Sequence, residues 1–240
     1  MKPDVLMIIA VLCAYFVKGM CGFANTLIHS TILSFRDNNV DITPVELLVG
    51  YPSNMLIAWK ERKYICAKTF LPLATLVLAG CIPGAFLLKN AETSAVKIFF
   101  GIVVAGIGIE MMLRERAVKR ESAKPVLFVI GLLSGLLCGM FGIGALMAAY
   151  MSRTAESVEE FRGNLCAVFL VENTFRLVLY SVLGILTLPV LWEAVMLLPF
   201  MLVGLFAGML AARVIEERVV KRAVIVLLIL SGISLVAGNL

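Results

Sequence analysis

The sequence predicts an all-α polytopic membrane protein with two homologous halves. Each half is a glycine-broken, re-entrant segment followed by three transmembrane helices, and the halves form inverted repeats. Three observations carry this. The chain is 61% hydrophobic with a mean hydropathy of +1.02, well above the roughly 45–50% apolar usage of soluble domains. Its apolar runs reach the ~18 residues that mark membrane spans. Two similar stretches, GMCGFANTLIH at 19–29 and GMFGIGALMAA at 139–149, lie half a chain apart and interrupt apolar segments with glycine. Matched interruptions in two halves point to a transporter with its site at the breaks.

The elements follow in order. The opening MKPD mimics a signal peptide, but it mixes Lys2 with Asp4 and no A-x-A-like site follows. The run is therefore read as a retained first segment, 5–35. Segments at 44–60, 68–88 and 92–113 complete the first half, residues 1–113. A polar linker, RERAVKRESA at 114–123, divides the chain and is expected to be cytoplasmic. The second half, 124–240, holds segments at 124–152, 160–185, 189–213 and 218–239. The halves align beyond the glycines: Ser53-Asn54 matches Glu172-Asn173, and Leu71-Pro72 matches Leu198-Pro199.

Loop charge selects the topology. If all eight segments crossed once, the basic 213–222 loop would face away from the basic 60–68 and 114–124 loops. If the first and fifth segments turn back at their glycines, loops 60–68, 114–124, 153–162 and 213–222 share one face. Lys and Arg concentrate on the cytoplasmic side of membrane proteins. Three spans after each turn is an odd number, so the halves are inverted. Irregular backbone at membrane depth needs protein or a watery cavity around it, and two facing breaks supply that for each other. The net charge of +5 therefore reflects loop orientation and implies no nucleic-acid partner. Trp59 and Trp192, near segment ends, fit the interfacial aromatic belt.

The breaks suggest an anion site. A helix that restarts after a break presents N–H groups without intrahelical acceptors, at the positive end of its dipole, and such ends bind oxyanions. The expected donors are Gly22, Phe23, Ala24 and Asn25, with the side chains of Asn25 and Thr26, in the first half. In the second they are Gly142, Ile143, Gly144 and Ala145. Glycine at such places also permits close helix packing. Lys18, directly before the first break, is a candidate fixed charge, with snorkelling to an interface as the alternative. Asn54 and Asn173, at matching positions, are candidate pathway amides. Glu172 and Arg176 are spaced for a local i,i+4 ion pair, with Arg176 also able to attract an anion. Glu46 and Glu110 lie near segment ends and read as solvated. His29, the only histidine, reads as a hydrogen-bonded packing residue. With no second histidine or carboxylate at ligand spacing, no metal and no cofactor are expected.

The glycine-rich breaks of G-x-x-G-x-G type, one opening each repeat, together with size and segment count, resemble the TauE/SafE sulfite-exporter family over nearly the whole chain. The resemblance implies a multi-pass permease of the cell inner (cytoplasmic) membrane and no enzymatic activity. It implies a small anionic substrate: sulfite, thiosulfate or an organosulfonate. The lipid bilayer is its surroundings, and a homodimer is compatible with it. Export is the expected direction, because an exiting monoanion gains ~2.3 kcal/mol per 100 mV of interior-negative potential. The alternative is a membrane thiol–disulfide electron carrier using Cys21 and Cys138, which each flank a break. Those two cysteines are not repeat equivalents, and the six cysteines form no C-x-x-C.

Overall fold

A computed structural model describes residues 4–34, 36–37, 39–90, 93–114 and 124–212, with isolated positions between 214 and 238. All regular structure among them is helical. The first segment is two helices, α1 (Val5–Cys21) and α2 (Asn25–Ser34). They are followed by α3 (Asn39–Lys60), a short 3-10 turn, α4 (Ala67–Asn90) and α5 (Thr93–Arg114). The fifth segment is likewise broken, into α6 (Lys124–Phe141) and α7 (Ala145–Thr154). After it come α8 (Val158–Val182) and α9 (Leu188–Ala211). The expected linker beyond Arg114 lies outside the described residues, and the 218–239 segment is described only at isolated positions. α3 starts five residues earlier than the hydropathy predicts, because the polar stretch before it is taken into its first turn.

Helices α4, α8 and α9 are long and apolar enough to cross a membrane. At 1.5 Å rise per residue, the 24–25 residues of each exceed a hydrocarbon core of ~30 Å. Their outward faces carry exposed large apolar side chains, Phe86 and Leu87 on α4 and Val203, Phe206 and Leu210 on α9 among them, which is surface suited to lipid. Trp59 and Trp192 are exposed at the end of α3 and the start of α9, where ring and N–H can meet the two phases of an interface.

The ends of the helices explain the breaks. Asp4 caps α1 by accepting from the Met7 N–H at 3.0 Å. That bond, together with Arg36, holds its carboxyl below the ordinary range. Arg36 lies just beyond α2 and ion-pairs with Asp4, so the first broken segment leaves and returns to the same end of the molecule. Each return arm packs on its incoming helix, α2 on α1 and α7 on α6. α8 opens with Ser157, whose hydroxyl accepts from the Glu160 N–H at 3.1 Å.

Packing follows an exchange between the halves. The most extensive helix pairs are α4 with α6 and α1 with α9, and α3 crosses α8. Glycines set the close approaches. A Cβ on Gly139 of α6 would lie 2.3 Å from the Cys81 carbonyl oxygen of α4, and one on Gly208 of α9 would lie 2.0 Å from that of Phe16 on α1. Gly19 and Gly139, the first glycines of the two motifs, are packing glycines. Gly22 and Gly142 are different: both hold a positive φ.

Candidate functional site

Gly22 and Gly142 end their incoming helices in the left-handed region, with φ of +84° and +71°. An L side chain there is strained, so glycine is required to cap α1 and α6 in this way. The capping engages amides that sequence reasoning assigned to a ligand. Gly22 N–H donates to Lys18 O at 2.7 Å, Gly142 N–H to Cys138 O at 2.8 Å and Ile143 N–H to Leu137 O at 3.4 Å. The return arms open one step later, with Ile28 N–H to Ala24 O at 3.1 Å and Ala148 N–H to Gly144 O at 2.9 Å. The amides without an intrahelical acceptor are then those of Asn25, Thr26 and Leu27, and of Ala145, Leu146 and Met147. Ala24, between break and arm, holds φ +74° without being glycine, a conformation that costs of order 1–3 kcal/mol.

The two breaks meet. A Cβ on Gly142 would lie 3.0 Å from Thr26 Cγ2 and 2.9 Å from Arg176 Nη1. α8 serves as the ruler along both. Arg162 packs its stem on Gly22, Phe169 lies over Gly144, and Arg176 reaches Gly142.

Four charged side chains surround this meeting point and are at most 2% exposed: Lys18, Glu46, Glu172 and Arg176. Lys18 Nζ donates to Asn54 Oδ1 at 2.7 Å and lies 5.8 Å from the Tyr15 ring and 6.0 Å from that of Phe169. Arg176 Nη2 donates to Asn173 Oδ1 at 3.2 Å, and its Nε lies 3.3 Å from Glu172 Oε1. Each asparagine of the matched pair thus holds a buried cation with its carbonyl oxygen. Arg176 Nη1 also donates to Cys138 O, and Tyr180 OH donates to Gly139 O at 2.7 Å. A cation at those carbonyls complements the negative end of α6.

Among the expected residues, Lys18 is buried and bonded, not snorkelling, and Glu172–Arg176 is the i,i+4 pair. Phe23 packs edge-on against Phe161, 6.1 Å between centroids, so its ring serves packing. Asn25 and Thr26 stand at the start of α2. His29 differs from expectation: it is 1% exposed and neither ring nitrogen has a hydrogen-bond partner among the described residues. Glu46 is the main omission. It reads as solvated near a segment end, yet it is buried, accepting from Tyr15 OH at 3.3 Å and from Asn25 Nδ2. The signal was there in the spacing: Glu46, Gly50, Ser53-Asn54 and Ile57 recur with helical period along α3, and Glu61 follows one residue past its end.

On the side of the basic 60–68 loop, a pocket opens onto Lys18 and Gly22. Lys60, Glu61 and Arg162 complete its polar lining. Three cations in one mouth favour anions electrostatically. Arg162 was not anticipated either; it holds the end of α1 through Met20 O.

All six cysteines are outside disulfides. Cys138 is buried, its thiol donating to Ile143 O at 3.2 Å, so it serves the turn. Cys138→Ser, which keeps that bond with a hydroxyl, is expected to retain transport activity within about twofold, a loss of less than ~0.5 kcal/mol; complete loss of transport would restore the thiol reading. No group of three or more potential metal ligands occurs among the described residues.

A protein-family model described as Sulfite exporter TauE/SafE matches residues 7–235. No curated protein matches the chain, and no solved structure does.

Proposed function

Since the chain belongs to the TauE/SafE sulfite exporter family, and is thus a membrane transporter, we propose that it exports a small sulfur oxyanion. Sulfite is the first choice, then thiosulfate or an organosulfonate. The membrane is the cell inner membrane, with the 60–68 loop cytoplasmic. The anion binds where the breaks meet, between the first amides of α2 and α7 and the cations Lys18 and Arg176. Asn25, Thr26, Asn54 and Asn173 supply the neutral polar groups.

The observation that carries this is the convergence of both breaks on two buried cations, each held by an asparagine at a matching position in its half. Such an arrangement offers an oxyanion charge-assisted donors in place of water. The exchanged packing of α1 on α9 and α6 on α4 supports inverted repeats, as does the return of the first broken segment to its starting end. Two units rocking about a shared site would give alternating access. The Lys60–Arg162 pocket is its cytoplasmic approach.

Proteoliposomes loaded with sulfite test the reading. Purified protein should release sulfite above empty vesicles. Lys18→Met, which keeps the apolar stem and removes the charge, should lower the rate by about 10- to 100-fold, the loss of ~1.5–3 kcal/mol of charge-assisted hydrogen bonding. The reading fails if neither sulfite, thiosulfate nor an organosulfonate crosses faster than in protein-free vesicles.

A further inference from the structure

The buried cluster is formally neutral when ionised: Lys18 and Arg176 balance Glu46 and Glu172. A monoanion bound between the breaks would leave it one negative charge in excess, in surroundings where an uncompensated charge is costly. One carboxylate must therefore release its charge as the anion arrives. The two acids are not equivalent. Glu172 lies 3.3 Å from the Arg176 guanidinium. Glu46 has no cation within 4.0 Å among the described residues, and its contacts are the neutral donors Tyr15 OH and Asn25 Nδ2. One of those donors, Asn25, is the first residue of α2, so the Glu46 carboxylate already occupies polar groups that the substrate would use. Gly50, one turn on, makes room: a Cβ there would lie 3.2 Å from Glu46 Oε1 and 3.6 Å from Asn25 Nδ2.

We propose that Glu46 is the proton carrier of this transporter: in the empty carrier its carboxylate stands in for the substrate at the first break, and each anion binds as Glu46 takes one proton from the aqueous phase to which the site is open. The proposal rests on the transport reading above. A proton forms a bond to a Glu46 carboxyl oxygen on binding and returns to water on release, so one monoanion and one proton cross together without net charge. The anion and pH gradients together then set the direction of net flux, and the membrane potential has no hold on it.

The groups around Glu46 are consistent with this assignment. α1 presents Tyr15 and Lys18, and α6 presents Cys138. α8 presents Glu172 beside Arg176, and α4 presents Cys81, whose thiol lies 3.9 Å from Glu172 Oε1. α2 presents Asn25 and, one turn on, His29. Glu193 of α9 faces Asp4, Asp37 and Arg36 instead, and Glu110 lies near the end of α5.

The test compares wild-type protein with Glu46→Gln and Glu46→Asp. In weakly buffered detergent solution with a pH indicator, wild type should take up about one proton more per sulfite bound than E46Q. The sulfite's own ionisation cancels in that difference. E46D should match wild type, and Glu46→Ala supplies the same subtraction if E46Q does not fold. In proteoliposomes clamped with potassium and valinomycin, the sulfite ratio at zero net flux should respond to 100 mV about 50-fold more in E46Q than in wild type, the equivalent of one extra charge. Equal proton uptake in wild type and E46Q, equal potential dependence, or loss of the proton in E46D would each overturn the proposal. Sulfite binding without the one-proton difference removes the coupling and leaves the transport reading standing; no sulfite binding by wild type removes both.

Discussion

Arg176→Met is expected to abolish sulfite flux and to destabilise the protein by about 3–5 kcal/mol, the cost of breaking one member out of a buried ion pair. The guanidinium is 2% exposed and does four things at once. It pairs with Glu172 at 3.3 Å, donates to Asn173 at 3.2 Å, closes the carbonyl end of α6 at Cys138 and stacks 5.7 Å from the Tyr180 ring centroid. Without it, Glu172 keeps only the Cys81 thiol among the partners described above, and the Cys138 carbonyl loses its cation. The double variant Glu172→Met, Arg176→Met separates the two effects. Exchanging a whole buried pair for apolar side chains is often neutral or stabilising, so thermal unfolding in detergent should return close to wild type. Flux should not return, because the cation at the second break is still missing. A single variant that exports within twofold of wild type would remove Arg176 from the site, and a double variant as unstable as the single one would show that the pair itself holds the fold.

That pair was legible in the sequence because its spacing is local. Four residues on a helix is one turn, and the ion pair needs no knowledge of the fold. The two breaks were legible for a similar reason, since glycine in an apolar run has few other uses. What the sequence left open is which use each glycine serves. Gly19 and Gly139 turned out to be close contacts with another helix, while Gly22 and Gly142 are left-handed caps. Only the partner backbone, Leu205 of α9 for Gly19 and Cys81 of α4 for Gly139, separates the two. Gly22 and Gly142 spend their amides on the incoming helix because a capping glycine belongs to the helix it ends. Glu46 was missed because its polarity was read against distance from a segment end. Its partners Tyr15 and Asn25 lie 31 and 21 residues away, and only tertiary packing turns it inward.

Gly139→Ala is the second large effect expected, a destabilisation of about 1–3 kcal/mol or more accompanied by loss of flux. Helices α4 and α6 approach so closely that the new methyl would lie 2.3 Å from Cys81 O, 2.9 Å from Ala85 N and 3.0 Å from Gly84 Cα. All three atoms are backbone, so no side chain can rotate away and the helices must separate. Lipid tails are as apolar as the residues they would replace, so close van der Waals packing is what holds such a pair, and separation weakens it directly. The consequence reaches the site because Gly139 lies in the last turn of α6. Its carbonyl accepts from Tyr180, and the Cys138 carbonyl beside it accepts from Arg176. Moving that turn by even a few tenths of an ångström misaligns the second break against the first. Gly106→Ala is the matching control. It sits in the interior of α5 with nothing among the described residues within 4 Å of its would-be Cβ. There the change should stabilise by about 0.5–1 kcal/mol through helix propensity and leave flux unchanged. If the two variants unfold at the same temperature, the α4–α6 contact is not the close crossing described above; if Gly139→Ala is unstable yet exports normally, the last turn of α6 does not position the site.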